Sequence, residues 1–177
     1  MRQKLYLVLL TMAIPALAFA QTIWKPTSSE ISFKIKNTGA TVTGRFTGLQ
    51  TTLKFSPDKL SSSALDGSVD VATIKTGIDK RDKDLLEEKY FDADKFKKIE
   101  LKSTKLYKKG EQFAGMFSVT IKGVTKQIEI PFEFKQTGSD ATFNSSFTIN
   151  RRDFGVGGKS MMMSDDLTVN IMVKAKS

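Results

Sequence analysis

The side chains of this sequence that could do chemistry are carboxylates, guanidinium groups and a run of three methionines. The chain holds neither Cys nor His. Their absence excludes disulfides, thiol nucleophiles, thiolate metal sites, serine–histidine catalysis and the usual zinc sites. We therefore expect a protein that is not an enzyme, with no catalytic residue, no metal site and no cofactor.

The acidic side chains leave two weaker alternatives open. Asp82, Asp84 and Asp92 stand close in the sequence, as calcium ligands do, but their spacing lacks the central Gly and the terminal Glu of an EF-hand loop. A pair of carboxylates could also hydrolyse a glycosidic bond without His. No pattern in the sequence points to such a pair, so neither alternative is favoured.

The methionines Met161, Met162 and Met163 form an unusual run in a predicted loop. Methionine is flexible and adapts to irregular apolar surfaces. We favour packing of the loop itself. The alternatives are an apolar entrance to the interior and copper binding through the thioether sulfurs.

The elements that must position these residues are β-strands. Apolar and polar residues alternate with period two along most of the chain, and turn signals separate the stretches. The apolar phase flips from even to odd numbers at Gly48, which predicts a bulge or a bend. The pattern gives eight or nine strands, depending on whether residues 41–55 are one bent strand. An all-β fold with mainly antiparallel hairpins follows, either a sandwich or a barrel.

Two segments depart from this alternation. Residues 80–90 are charged, favour helix and lack Gly and Pro, so they predict a short helical segment. Residues 1–20 begin with Arg2 and Lys4, continue as an apolar run and end in Ala18-Phe19-Ala20. This is the pattern of a signal peptide cleaved after Ala20. We therefore expect one domain over residues 21–177 in a periplasmic or secreted protein.

The charge of the chain is distributed along the strands. The formal net charge is +9, and the lysines alternate with apolar residues, which is typical of solvated strand faces. A basic exterior of this kind could contact an anionic membrane surface at its periphery. No nucleic-acid-binding motif is present, so nucleic acid is not an expected partner.

The apolar face of the chain after residue 20 is rich in phenylalanine, with twelve Phe in residues 21–177 against two Tyr and one Trp. Such an interior is a solid core by default. An eight-stranded barrel can, however, just enclose one elongated ligand. Glycines within predicted strands, such as Gly44, Gly67 and Gly115, give modest support to a cavity because they leave space inside the barrel.

Four blocks of sequence together resemble the YceI-like family of exported polyisoprenoid-binding proteins. They are Trp24 with Ser29-Glu30-Ile31-Ser32-Phe33 and Val42-Thr43-Gly44-Arg45-Phe46, then Ile74-Lys75-Thr76-Gly77 with Lys80-Arg81-Asp82 and Tyr90-Phe91-Asp92, then Gly115 to Lys126, and finally Ile149 to Val156. Each block alone is weak, but their order and spacing extend over nearly the whole chain after residue 20.

The resemblance implies a lipocalin-like antiparallel β-barrel of eight strands with a short helix after the fourth strand. It also implies an elongated apolar channel for an isoprenoid lipid, such as a polyprenyl diphosphate or a prenylated quinone. The predicted tail-binding residues are Ile31, Phe33, Phe46, Val69, Val71, Phe113, Phe117, Val119, Phe132, Phe134, Phe143 and Phe147.

The same resemblance places a headgroup site at the mouth of the channel. The predicted mouth residues are Arg81, Asp82, Leu85, Phe91, Arg152 and Phe154. Arg81 could pair with a diphosphate or quinone oxygen, or it could instead fix its loop through a salt bridge or a cap. Arg152 and Asp153 leave the same two alternatives.

Two functions of different classes follow. The first is an isoprenoid-binding protein for transport, storage or an envelope-stress response. The second is a non-catalytic envelope or surface interaction protein with a solid core, whose basic exterior binds anionic partners. A homodimer is compatible with both.

Overall fold

Alternating side chains build nine β-strands in the computed structural model, which describes residues 21–177. The strands are β1 (Ile23–Asn37), β2 (Ala40–Phe46), β3 (Gln50–Lys54), β4 (Ala64–Asp70), β5 (Lys98–Lys109), β6 (Gln112–Ile121), β7 (Val124–Thr137), β8 (Asp140–Asn150) and β9 (Met163–Lys176). One helix, α1 (Asp79–Leu86), lies in the segment predicted to be helical. The predicted signal peptide, residues 1–20, lies outside the described residues.

Eight of the strands close into an antiparallel barrel, as predicted. Each strand from β3 to β9 pairs with the next, and β9 pairs with β1 from Lys25↔Lys176 to Asn37↔Met163. On its other side β1 pairs with β3 only at Ile23 and Trp24. The remaining half of that side pairs with β2, which is the extra strand of the sheet.

Gly48 separates β2 from β3 at the point where the apolar phase flips. Its φ is +73°, a left-handed conformation that glycine adopts without steric cost. Residues 41–55 are therefore two strands that meet at a bend, and they pair with different parts of β1.

The antiparallel order divides the connections between two ends of the barrel. The mouth end carries the connections 38–39, 71–97, 122–123 and 151–162, and α1 lies in the second of these. The closed end carries the start of β1 and the connections 55–63, 110–111 and 138–139. No helix in the described part of the chain is long and apolar enough to span a bilayer.

Aromatic side chains fill the closed end. The ring of Phe55 is fully buried and lies edge-on to four phenylalanine rings at centroid distances of 4.8–5.7 Å. These rings belong to Phe113, Phe132, Phe134 and Phe143. Trp24 joins this cluster, and its indole Nε1 donates a hydrogen bond of 2.9 Å to the carbonyl of Phe55. The closed end is therefore a solid core.

The seam between β7 and β8 opens toward the mouth end. The ladder pairs Glu133–Thr137 with Asp140–Asn144 and stops there. Pro131, two residues before Glu133 on β7, has no N–H to donate. Its carbonyl accepts a hydrogen bond of 2.6 Å from the Ser145 hydroxyl. The 3₁₀ turn Arg151–Phe154 packs against β7 and β9 beyond this point.

Candidate ligand-binding cavity

Inward side chains from all nine strands surround a cavity of about 270 Å³ whose lining is almost entirely apolar. At the limit toward the closed end lie Phe132 and Phe143, the two rings of the closed-end cluster that also line the cavity. At the other limit lie Arg81, Tyr90 and Met163, which belong to the mouth end. The volume is close to the lower limit of ordinary small-molecule sites, about 300 Å³.

Most of the predicted tail residues line this cavity. Nine of the twelve do so: Ile31, Phe33, Phe46, Val69, Phe117, Val119, Phe132, Phe143 and Phe147. They lie on one face of their strands because period-two alternation directs every second side chain inward. The alternation therefore identifies the face correctly for these positions.

Three predicted tail residues lie elsewhere. Phe113 and Phe134 pack against Phe55 in the closed end, where no space remains for a ligand. Val71 is buried in the 3₁₀ turn that follows β4 and does not line the cavity. That turn begins because the Asp70 side chain accepts a hydrogen bond from the N–H of Ala72, which ends β4 before Val71.

The interior glycines contribute less space than the sequence indicated. A Cβ on Gly44 would lie 2.2 Å from the ring of Phe33, its partner across the strand pair. A Cβ on Gly115 would lie 2.5 Å from Leu106 and 2.7 Å from Phe117. Neighbouring side chains thus fill both positions. Only Gly67 of these three glycines lines the cavity.

Four of the six predicted mouth residues line the cavity: Arg81, Leu85, Phe91 and Phe154. Arg81 also holds its own loop in place, because its Nε donates to the Thr76 hydroxyl at 2.7 Å and its Nη2 donates to the Thr76 carbonyl at 2.8 Å. A guanidinium group has five N–H donors. Two are used within the described part of the chain, which leaves three for a ligand.

Asp82 does not line the cavity and instead holds Thr76 from the opposite side. Its buried carboxylate accepts hydrogen bonds from the Thr76 hydroxyl at 2.5 Å and from the Thr76 N–H at 2.8 Å. Lys75 adds an ion pair at 3.8 Å. The hydrogen bond from the Thr76 hydroxyl is the main cause that lowers the pKa of Asp82 below its ordinary value of 3.8. Arg81, Thr76 and Asp82 therefore form one network that fixes the loop before α1.

This network predicts a specific dependence of stability on pH. Because the pKa of Asp82 is lowered in the folded state, its stabilisation is complete above the unfolded value and is lost as the pH falls through the lower folded value. The thermal midpoint of Asp82→Asn should lie below that of the wild type at neutral pH. The difference should shrink below about pH 4. A difference that stays constant from roughly pH 2 to pH 7 would contradict this account.

Arg152 also lies outside the cavity. It is exposed, and its Nη1 lies 3.2 Å from an oxygen of Asp165. The neighbouring Arg151 is the buried guanidinium that lines the cavity. Arg151 donates to the carbonyls of Val156 at 2.9 Å, Gly158 at 3.0 Å and Ser164 at 2.9 Å, and to Asp165 at 2.7 Å.

Arg151 is a site residue that the sequence analysis missed. The signal that could have found it is parity, because Arg151 continues the inward series of Phe147 and Ile149. Its donors are used by the connection before β9 and by the first residues of β9, so its role at the cavity is to hold this part of the mouth in place. Ser145 also lines the cavity and was also missed. Both are polar residues at inward positions, whereas the predicted tail residues were all apolar.

The three aspartates considered as calcium ligands do not form a metal site among residues 21–177. No three acidic side chains in that range are grouped as metal ligands. Asp82 bonds to Thr76, and Asp92 forms an ion pair with Lys95 at 3.2 Å. Met163 lines the cavity, whereas Met161 and Met162 are exposed.

Comparison with known proteins agrees with this geometry. The sequence profile of the YceI-like domain matches residues 24–175. A UPF0312 protein of Pseudomonas savastanoi pv. phaseolicola is 30% identical over 136 residues, which cover 72% of this chain and 71% of the relative. The crystal structure of Burkholderia cenocepacia BcnA is similar with a TM-score of 0.80 at 22% identity, covering 84% of this chain and 96% of that one.

A second solved structure extends the comparison of folds. It is described as a polyisoprenoid binding domain from Saccharophagus degradans implicated in plant cell wall breakdown. Its TM-score is 0.64 at 15% identity, covering 88% of this chain and 97% of that one. At this identity the likeness concerns the fold alone. The profile match over residues 24–175 is what assigns the family, and the chain belongs to the YceI-like domain family.

Proposed function

We propose that this protein binds an isoprenoid lipid, without catalysis, with the tail in the barrel cavity and the headgroup beside Arg81. The observation that carries the proposal is the cavity of about 270 Å³ inside the barrel, with an almost wholly apolar lining. A domain of the same fold is described as polyisoprenoid-binding, which supports the class of ligand. Transport, storage or an envelope-stress response would each use such binding.

The cavity volume sets the length of tail that it takes. An apolar cavity of about 150 Å³ accommodates one benzene molecule. By that measure the cavity takes on the order of ten carbons, or about two isoprene units. Burial of ten carbons contributes roughly 8 kcal/mol before ordering costs are subtracted. This gross figure corresponds to a dissociation constant of about 1 μM before those costs.

The alternative function, a surface interaction protein with a solid core, draws its support from the basic composition. The cavity weighs against it, because empty space in a core costs stability without a ligand to fill it. Binding of a ten-carbon prenyl alcohol and of the matching prenyl diphosphate distinguishes the two functions. We expect both to bind the purified protein, as measured by calorimetry. Binding of neither would overturn the isoprenoid proposal.

Arg81 should control the choice of headgroup. A charge-assisted hydrogen bond contributes about 1.5–3 kcal/mol. We therefore expect Arg81→Ala to weaken the prenyl diphosphate roughly 10- to 100-fold. The prenyl alcohol of the same length should bind almost as before, because its affinity comes from the buried tail.

The control for this experiment is Thr76→Val, which removes the two hydrogen bonds of the Thr76 hydroxyl, to Asp82 and from Arg81, but keeps the charge of Arg81. It should leave the ratio of the two affinities nearly unchanged. If Arg81→Ala and Thr76→Val weaken both ligands equally, Arg81 acts only by holding its loop.

The cellular location of the protein and its other partners are further parts of the proposal. We expect the exported protein to begin at Gln21, in the periplasm or outside the cell, and an intact-mass measurement on envelope fractions checks this start. Contact with an anionic membrane surface and formation of a homodimer stay predictions.

A further inference from the structure

Exposed apolar side chains are concentrated at the mouth end of the barrel. Five large hydrophobic side chains are exposed in the part of the chain that the structure describes: Ile23, Ile78, Val124, Met161 and Met162. All except Ile23 lie in the mouth-end connections or directly beside them. Met161 is fully exposed and Met162 is 64% exposed. Single exposed apolar residues are common, but a group at one end indicates an interaction surface.

The backbone that carries these two methionines is held in place. The N–H of Thr38 donates to the Met162 carbonyl at 2.7 Å. The Ser160 hydroxyl accepts hydrogen bonds of 3.1 Å from the N–H groups of Met162 and Met163. The next residue, Met163, pairs with Asn37, and both line the cavity. The exposed methionines therefore stand at the edge of the mouth on an ordered loop joined to the β1–β2 hairpin.

The two segments that carry and adjoin these methionines have basic side chains but no acidic ones. Residues 31–57 and 154–164 contain no Asp and no Glu. Within them Lys34, Lys36, Arg45 and Lys159 are exposed. We call the surface formed by Lys36, Thr38, Lys159, Met161 and Met162 the methionine rim. Apolar side chains flanked by basic ones are the combination that binds anionic bilayer surfaces.

We propose that the methionine rim docks the mouth of the barrel onto an anionic lipid surface, with Met161 and Met162 inserted among the headgroups. This inference rests on the proposed function, since it gives the isoprenoid a route between a bilayer and the cavity that avoids water. Methionine suits the role because its flexible side chain adapts to irregular apolar surroundings. The lysines beside it add attraction that salt screens.

Cosedimentation with lipid vesicles tests the docking surface. We expect the protein to bind vesicles that contain phosphatidylglycerol, and to bind pure phosphatidylcholine vesicles at least about tenfold more weakly. The double variant Met161→Ser/Met162→Ser should weaken binding to the anionic vesicles about tenfold or more. Ile23→Ser is the matched control, because Ile23 is 63% exposed but lies at the closed end.

The outcomes separate this inference from the proposed function. Prenyl alcohol delivered in detergent should bind the double variant as it binds the wild type, whereas transfer from vesicles should slow. Equal vesicle binding by the double variant and the wild type, or equal loss in Ile23→Ser, would overturn the docking surface while isoprenoid binding stands. The docking surface would also be overturned if the wild type is a dimer, the double variant is a monomer and neither protein binds vesicles. The methionines would then belong to a dimer interface. Vesicle binding without any binding of prenyl alcohol would instead overturn the proposed function.

Discussion

Replacing Val169 with phenylalanine is expected to weaken isoprenoid binding about two hundredfold. Val169 lines the cavity and stands opposite Phe33 on one side and Phe147 on the other. Phenylalanine adds four carbon atoms to the side chain, and these would displace about four carbons of the tail. At roughly 0.8 kcal/mol for each buried carbon, the loss is about 3 kcal/mol. Calorimetric titration with a ten-carbon prenyl alcohol measures it.

The stability of this variant separates a cavity from a solid core. In a filled core the same substitution would cost about 1–3 kcal/mol through overpacking. In the cavity we expect the thermal midpoint to change little. Val124→Phe adds the same atoms at an exposed position outside the cavity lining and should change neither quantity. A large fall in the midpoint of Val169→Phe with unchanged binding would count against the cavity.

Phe55→Ala is expected to destabilise the fold by about 3–5 kcal/mol. Its ring is fully buried and contacts four other aromatic rings in the closed end, so its removal leaves an unfilled space in a solid core. For a chain of this size, the thermal midpoint should fall by roughly 6–20 °C. Well below that midpoint, binding of the prenyl alcohol should be retained, because Phe55 does not line the cavity.

Phe147→Ala is the matched comparison for this prediction. It removes the same atoms from a half-buried position that lines the cavity. We expect a smaller loss of stability and a clear change in ligand affinity. The division of the barrel into a solid closed end and a binding cavity would be wrong if the two variants had equal effects on both quantities.

The sequence predicts the faces of the strands but not the depth of each residue along the barrel. Period-two alternation assigned Phe113, Phe117, Phe134 and Phe147 to the interior alike. The depth depends on Phe55, which follows the end of β3 and fills the closed end from a connection between strands. Tertiary packing of this kind leaves no periodic signal, so the inner limit of the cavity could not be predicted.

The mouth was less predictable than the barrel wall because it is built from connections. The sequence identified Arg81 and the helix beside it, and it identified Gly48 as the point where the strand changes phase. It could not distinguish Arg151 from Arg152, although only Arg151 is buried. That difference depends on residues 156–165, at the end of the connection and the start of β9, whose carbonyls and Asp165 surround the Arg151 guanidinium. Long-range partners of this kind are not visible in local sequence.

The most direct test of isoprenoid binding is organic extraction of the protein purified from its own cells, followed by mass spectrometry of the extract. We predict an isoprenoid lipid in an amount close to one molecule per protein from the wild type. The Val169→Phe variant, prepared in parallel, should yield far less of the same lipid. An extract of the wild type without isoprenoid, or equal amounts from the two proteins, would contradict the account.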